Sequence, residues 1–405
     1  MKHVDIVIVG GGVVGYSLAA GLLADTALQV MVVDAHDPAA ASGGLDNRVI
    51  ALAKRTVDEF TRIGVNWRNA ARYPIRHIQV TDKGAAGLCE LTASDYQLDA
   101  FGQVVSLAAL GEVLQQHCDQ PRCQQLTPET VASLTQRADG VTLTLGDGST
   151  LDTSLLVLAD GGRSGLAESV GIGREQDDYT QVAITFNVQT SEPHNHRAYE
   201  RFTEHGPLAF LPYDADFSDK SRQGHGFSVV WTVSQSRAET LLGEGDVRFL
   251  AELQKAFGYR QGVISDVSTR LSYPLSLSTA DALTAHRVVL LGNSAQTLHP
   301  IAGQGFNLGL RDVATLLHVI NGAEDPGAHT VLQTYRQSRE RDRQATITLT
   351  DTLVRTFSNR HFPLLAARNV GLMALNLWPL AQTEFVKLTT GYGTATPPLT
   401  NTGNR

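Results

Sequence analysis

The chain has 405 residues, 42% of them apolar and 18% charged, which marks a globular protein and argues against disorder. That length exceeds one ordinary core, so two domains are expected. A net charge of -8 gives no reason to expect nucleic acid as a partner, although the stretch from Arg336 to the end carries nine basic and four acidic residues.

The opening "MKHVDIVIVGGG" runs straight into a strand, with no signal-peptide pattern before it and no uninterrupted apolar run of about 18 residues anywhere. A cytoplasmic protein is the expectation. Residues 4–9 form a short apolar run suited to a buried parallel strand. Residues 14–23 have helical character, and 30–33 are a second apolar run, giving a βαβ unit. Between strand and helix, Gly10, Gly12 and Gly15 make G-x-G-x-x-G. The first glycine permits a tight turn, the second lets a pyrophosphate approach the backbone, and the third lets helix and strand pack closely. The helix amino terminus supplies unpaired N–H groups and positive potential for phosphates. Asp34 ends the second strand, where a carboxylate would accept hydrogen bonds from ribose hydroxyls.

The segment "DAHDPAAASGGLDN" reads as a loop by composition. "IRHIQVTDKGAAGLCELTA" offers further strands. Three cysteines, Cys89, Cys118 and Cys123, are no disulfide framework. "CDQPRC" has the C-x4-C spacing of some flavin-linked disulfide reductases, but in sequence it lies far from both glycine-rich segments and reads as incidental reduced thiols. "LLVLAD" at 155–160 and "RVVLLG" at 287–292 are buried-strand candidates, so strands of one parallel sheet come from distant parts of the chain. Residues 180–273 are rich in β-branched and aromatic residues between turn signals, which predicts an inserted antiparallel sheet. "HNH" at 194–196 falls in a polar loop and makes no metal-ligand cluster. After Asn307 the pattern is helical to about Lys387, and the tail "TPPLTNTGNR" is expected to fray.

"LLGNSAQTLHPIAGQGFNLGLRD", from Leu290 to Asp312, is too glycine-rich for a helix and too apolar for a surface loop. It delivers Asn293 and then a turn that opens a helix near Gly305, a second backbone site for an anion or a ring. A plain nicotinamide dehydrogenase does not require it. A flavoprotein does, because the ribityl chain and flavin ring extend away from the first site.

These three stretches, "GGGVVG", "VLADGGRS" and "LLGNSAQTLHPIAGQGFNLGLRD", resemble the three motifs of the class A flavin-dependent aromatic hydroxylases, and the resemblance spans nearly the whole chain. "HPIAGQGFNLG" is similar to the hydroxylases of ubiquinone biosynthesis. Asn293, Gln296 and Phe306, with "ERFTEHGPLA", are most similar to those acting on 2-octaprenyl-6-methoxyphenol. The resemblance implies an α/β protein: a Rossmann-like FAD-binding domain of aromatic-hydroxylase type, an inserted, mainly antiparallel β-sheet substrate domain and a helical C-terminus. The expected division is a discontinuous FAD-binding domain (1–75, 103–178 and 280–360), a substrate domain (76–102 and 179–279) and a C-terminal helical segment and tail (361–405).

By the same resemblance Asp34 binds the adenosine ribose, Arg48 lies near the pyrophosphate or flavin, Gln103 touches the cofactor and Val131 meets the adenine through its backbone. Asp160 lies near the pyrophosphate, Asn293 bonds the ribityl chain, and Pro300, Gly303, Gln304 and Gly305 border the flavin ring. Three positions depart from the pattern: Asn293 stands for the usual aspartate, Gln296 for a histidine and Ala167 for an arginine. The amide oxygen of Asn293 still accepts a hydrogen bond.

The implied chemistry uses FAD, with NAD(P)H and O2 as co-substrates. Reduced flavin and O2 give a 4a-hydroperoxide whose distal oxygen attacks a polyprenylated phenol, while the site excludes water. No residue is assigned as catalytic. His299 belongs to the flavin-ring environment and reads as a residue that holds the turn more readily than as an acid or base. Arg201 and His205 could polarise the phenol or form a solvated strand edge. A polyprenyl reductase of related fold and a non-catalytic flavin-binding scaffold stay open as alternatives. "FPLLAARNVGLMALNLWPLAQTEFVKL" is apolar, but Arg368, Asn369, Asn376 and two prolines interrupt it, so it is no membrane span. It packs on the FAD domain or presents a face to the inner membrane or to other proteins of ubiquinone biosynthesis. Its basic surroundings favour the membrane slightly, at about 1 kcal/mol per basic residue near an anionic surface.

Overall fold

The computed structural model describes residues 2–36, 48–66, 70–84, 87–215, 217, 222–299, 304–357, 378–393 and 397. β1 (Lys2–Val9), α1 (Val13–Asp25) and β2 (Val30–Val33) form the opening βαβ unit, and β3 (Val49–Ala53) leads into α2 (Lys54–Arg62). β4 (Tyr73–Ile75), β5 (His77–Asp82), β6 (Leu88–Thr92) and β7 (Gly102–Ser106) precede α3 (Leu107–His117). β8 (Cys123–Leu126), β9 (Val131–Gln136), β10 (Val141–Leu145) and β11 (Thr150–Leu158) precede the short α4 (Leu166–Ser169). β12 (Arg174–Thr190), β13 (Arg197–Thr203), β14 (Gly206–Pro212) and β15 (Gly226–Ser234) are followed by α5 (Gln235–Gly243) and α6 (Asp246–Phe257). β16 (Ile264–Val267), β17 (Leu271–Ala280), β18 (Thr284–Ala285), β19 (Val288–Leu290) and β20 (Gln296–Thr297) lead to the helices α7 (Gln304–Ile320), α8 (His329–Phe357) and α9 (Pro379–Thr390).

Among the described residues these strands form three sheets. The first has the order β18-β19-β11-β1-β2-β8, extended by β10 and β9. Its central strands are parallel, and Ile6, Val7 and Ile8 are fully buried, as a strand covered on both faces must be. The register pairs Val9 with Val33 and Leu158, and Leu158 with Leu290. The chain therefore leaves all four strands at one edge. Gly10, Asp34, Asp160 and Asn293 meet there, although 283 positions separate the first from the last. Open parallel sheets bind ligands at such a carboxyl edge.

The second sheet has the order β20-β17-β12-β15-β14-β13-β5-β6, with β16 on β12, and is antiparallel except between β13 and β5. It reaches beyond the expected 180–273. β12 begins at Arg174 and β17 runs to Ala280, because a register break between Asp178 and Gln181 bends the long strand while pairing continues. The charged "REQDD" hides that extension from any apolar pattern. One sheet face is sealed: Ile184, Phe186, Phe210, Phe227, Val229 and Trp231 pack under Phe249, Leu253 and Phe257 of α6. Phe210 stacks on Phe257 with ring centroids 3.9 Å apart.

The third sheet, β3-β7-β4, is small and antiparallel and lies between the other two. Leu52 and Val105 belong to the core of the first sheet, while Ala51 and Val104 pack with Ile75, Leu91 and Ala198 against the second. Asn307 of α7 fastens this layer: its side chain accepts from the Ala53 N–H and donates to the Ala51 carbonyl, both at 3.2 Å. α9 adds Val386 to the same core, while residues 358–377 lie outside the described residues. The protein is thus an α/β fold with a Rossmann-like layer, a mainly antiparallel second layer and a helical C-terminus.

Candidate active site

The glycines of the first motif have separate steric reasons. Gly10 adopts φ +112°, and a Cβ there would lie 2.5 Å from the Ala159 carbonyl oxygen. A Cβ on Gly15 would meet the Gly10 carbonyl at 2.0 Å, which is the close helix–strand contact its position predicts. Gly12 differs, because among the described residues no atom beyond its chain neighbours lies within 4 Å of the place its Cβ would take. It caps α1 without any side-chain hydrogen bond, so the helix amino terminus opens onto free space. That space suits a diphosphate. Asp34 accepts a short hydrogen bond from the Gly11 N–H, and its other oxygen accepts from the His36 N–H at 2.7 Å. The Glu129 N–H donates to the Asp34 carbonyl at 2.8 Å, which brings the start of β9, and with it the buried Val131, beside the acid.

The second and third motifs are tied together. Asp160 accepts from Ser294 Oγ at 2.7 Å, from the Gly162 N–H at 3.0 Å and from the Ser164 N–H at 2.9 Å. Burial raises its carboxyl, but donation from Ser164, Ser294 and the backbone outweighs that, and the net shift is below the ordinary aspartate value. Both oxygens are occupied by protein donors, so Asp160 organises the edge. Arg174 of β12 completes the arrangement by donating to Ser278 Oγ at 2.9 Å, to the Asn293 carbonyl at 3.3 Å and to the Ser294 carbonyl. The Asn293 side chain is left exposed at the carboxyl edge. Gln296, in the place of the family's histidine, joins a buried ion pair: its amide donates to Asp312 at 2.7 Å and its oxygen accepts from Arg343 at 2.9 Å.

Gln103 lies on β7 on the same side as Val105, facing the first sheet. Arg48 precedes β3, and its guanidinium lies 5.5 Å from the ring centroid of Tyr273 on β17. That contact joins the start of the β3-β7-β4 layer to the second sheet. No sequence motif marks Tyr273, and only the register of β17 brings it there. Gln304 opens α7 with its side chain outside the description. Among the described residues a Cβ on Gly305 would meet Leu298, at 3.9 Å. Pro300 and Gly303 lie outside the described residues. His299 is buried edge-on to Tyr179 with centroids 5.5 Å apart, and desolvation pushes its imidazole down to about 4. A ring kept neutral at physiological pH fits the role of holding the turn.

Three expectations need correction. Arg201 does not face the substrate side: it donates to the Ala256 carbonyl of α6 at 3.0 Å and to Thr81 Oγ1 at 3.2 Å, on the sealed face of the sheet. His205 sits in the hairpin turn between β13 and β14, because two residues are all that separate those strands. The C-x4-C pair is not remote from the first glycine motif. Cys118 Sγ lies 3.6 Å from the Tyr16 carbonyl of α1, since β8 pairs with β2 and folds the pair back; both cysteines are free and buried. In the polar loop at 194–196, His194 turns inward. It is 4% exposed, packed edge-on to Tyr73 and Phe227, and desolvation pushes it down to about 4.

The sequence model of the FAD binding domain family matches residues 3–350. A Rhodospirillum rubrum protein named ubiquinone hydroxylase UbiL is 36% identical over 381 residues, covering 92% of this chain and 86% of that protein. The Escherichia coli 3-demethoxyubiquinol 3-hydroxylase is 30% identical over 380 residues, covering 91% and 94%. The crystal structure of p-nitrophenol 4-monooxygenase PnpA from Pseudomonas putida DLL-E4 shares the fold, with a TM-score of 0.76, covering 98% of this chain and 100% of that one at 17% identity. The motifs, the open cradle at Gly12 and these relatives agree: the chain belongs to the FAD-binding family of class A flavin-dependent aromatic hydroxylases, in the branch that contains the ubiquinone hydroxylases.

Proposed function

We propose that this FAD-dependent hydroxylase acts on the aromatic ring of a polyprenylated phenol of the 2-octaprenyl-6-methoxyphenol kind, with NAD(P)H and O2 as co-substrates. One observation carries the reading. Across the open face of the second sheet, Val80, Ala209, Val230 and Thr185 line up by register, and each keeps accessible surface while its sealed-face neighbours are buried. This row lies on the side of the sheet turned towards β3, β4 and β7. An apolar, accessible row beside a cofactor layer suits a ring that bears a hydrocarbon tail. Each buried CH2 is worth about 0.8 kcal/mol against water, but a tail that starts in lipid is already out of water, so only the first isoprene units need the groove.

Within this reading Gly10, Gly12 and Gly15 hold the diphosphate, Asp34 the ribose, and Val131 the adenine through its backbone. Asn293 bonds the ribityl chain, and Arg48, Gln103, Pro300, Gly303, Gln304 and Gly305 surround the flavin. Bound FAD supplies hydride acceptance from NAD(P)H and, with O2, an electrophilic oxygen. The protein's own part is to orient the phenol, exclude water and keep backbone N–H groups aimed at developing negative charge. The chain divides into an FAD-binding domain (1–75, 103–178 and 280–360), a substrate domain (76–102 and 179–279) and a C-terminal segment (361–405). Trp378, Leu380 and Phe385 of the last segment are exposed and suit peripheral contact with a membrane. Among the described residues no helix is long and apolar enough to cross one.

The test is anaerobic reduction of the purified holoprotein by NAD(P)H with the candidate phenol, followed by O2 and product analysis. The expected result is ring-hydroxylated product carrying one oxygen from labelled O2. A reductase would give reduced prenyl product without O2, and a scaffold would give none.

A further inference from the structure

β13 carries "RAYERFT", and its alternation divides the residues between the two sheet faces. Tyr199 and Arg201 turn to the sealed face, with Tyr199 against Phe257 at 5.3 Å and Arg201 on the Ala256 carbonyl. Ala198 turns the other way, into the core shared with β3, β4 and β7. Glu200 follows Ala198 onto that open face, opposite Val80 on one side and Ala209 on the other. It therefore stands in the accessible row Val80–Glu200–Ala209–Val230–Thr185. Of these five, three are hydrocarbon and one is a neutral hydroxyl, so Glu200 alone in the row can take a proton at physiological pH.

We propose that Glu200 is the catalytic base that accepts the ring-hydroxyl proton of the phenol; this rests on the phenol-hydroxylating reading above. The step balances simply. The phenolic O–H bond breaks, its electron pair stays on the ring oxygen, and the proton forms a new O–H bond on the Glu200 carboxylate, which becomes a neutral acid. The electron pair released to the ring is what an electrophilic oxygen needs. When product leaves, the acid returns its proton to water.

Two further features fit. The Glu200 side chain is half-buried, so it keeps surface on the open face that a ligand can reach. Burial also pushes its carboxyl up to about 7, near the pH at which a general base works best. No charge offsets this from the strands packed on β13. β14 has no titratable side chain. On β5, His77 pairs with Arg197 on the sealed face, and Asp82 lies beyond Val80, opposite Phe202. On β13 itself, Arg197 and Arg201 also turn to the sealed face.

The experiment compares the holoprotein with Glu200→Gln and Glu200→Asp variants, each first checked for FAD content and melting temperature. Glutamine copies the shape of the protonated acid, so the fold should hold. For a polyprenylated phenol, wild-type kcat/KM should rise with pH through about 7, and Glu200→Gln should lose that limb and about 100-fold in kcat. Glu200→Asp should keep the limb with a smaller loss. A binding readout needs no turnover. 4-Nitrophenol is acidic enough to be largely ionised at mildly alkaline pH, and its phenolate absorbs visibly. Removing a facing carboxylate should tighten phenolate binding by about 10-fold in Glu200→Gln, because like charges repel. An unchanged pH limb together with unchanged phenolate affinity in Glu200→Gln would overturn the assignment. If wild type hydroxylates no polyprenylated phenol, the substrate reading fails, while the nitrophenolate result still decides whether Glu200 faces the ring oxygen.

Discussion

At the residue scale, two glycines of one motif should fail in different ways. A Cβ at Gly12 meets no atom of the described residues beyond its chain neighbours, so the Gly12→Val apoprotein should melt as the wild type does, yet the side chain fills the diphosphate cradle and FAD binding should be lost. Gly10→Val places a side chain against the Ala159 carbonyl at positive φ and should destabilise the fold itself. Melting curves with and without FAD separate the two, and full FAD occupancy in Gly12→Val would contradict the cradle. The buried titratable groups make a second prediction. His194 and His299 have folded values near 4, below the unfolded value of about 6.5. Their neutral forms are favoured in the fold, so each loses stability as pH falls from about 6.5 to about 4, roughly 3 kcal/mol in full. Glu200 has the opposite sign. Its folded value of about 7 lies above the unfolded one, so it costs stability as pH rises from about 4.3 to about 7 and returns it on acidification. One histidine is thus offset in the wild type. Urea unfolding at pH 7 and pH 4.5 should show a steeper acid loss in Glu200→Gln, and an equal slope would argue against the burial of this carboxyl.

At the element scale, α7 and α8 are joined by a pair taken out of water. Arg339 donates to Asp312 at 2.8 Å, with their side chains 1% and 0% exposed. The second Asp312 oxygen accepts from the Gly292 N–H at 3.1 Å and from Gln296 at 2.7 Å. One carboxylate therefore fixes α7, α8 and the turn that presents Asn293. Asp312→Ala leaves the guanidinium buried with one carboxylate fewer and should cost about 3–5 kcal/mol. The turn should loosen as well, so FAD affinity should fall although Asp312 is buried behind the motif. Urea unfolding and FAD titration of that variant check both parts, and a loss below about 1 kcal/mol would show that the ion pair is not what holds the helices.

At the scale of the whole molecule, the three sheets make one arrangement: a carboxyl edge for the nucleotide, the open sheet face proposed for the phenol, and the β3-β7-β4 layer between them. α9 closes one side, with Val386 buried in the shared core, Tyr96 donating to Gln382 at 3.1 Å and Arg55 donating to the Gly391 carbonyl at 3.1 Å. The outer side of this closure leaves Trp378 63% and Leu380 74% exposed. With Phe385, those two side chains make the proposed membrane contact. Trp378→Ser with Leu380→Ser should lower co-sedimentation with anionic vesicles several-fold, while FAD content and melting temperature stay unchanged. Equal sedimentation of the variant and the wild type would remove the membrane from the proposal.

The nucleotide half of this protein is legible from sequence because its requirements are local. A strand buried on both faces must be apolar along its length, a turn at positive φ needs Gly10, and a helix pressed against a strand needs Gly15. The βαβ unit, the strands before Asp160 and Asn293, and the helix opening near Gly305 follow from such rules. The second sheet, the proposed substrate half, is legible only as a sheet. Alternation in "AYERFTE" says that Glu200 and Arg201 lie on opposite faces, but not which face is sealed, since that depends on where α5 and α6 pack. Arg201, like His205, is of a type able to polarise a phenol, but tertiary packing gives Arg201 to a helix carbonyl and leaves the Glu200 carboxylate on the open face. The same holds for Cys118 and for Arg48 with Tyr273. Contacts between distant segments are set by strand order and register, and a chain read from end to end contains no local signal for either.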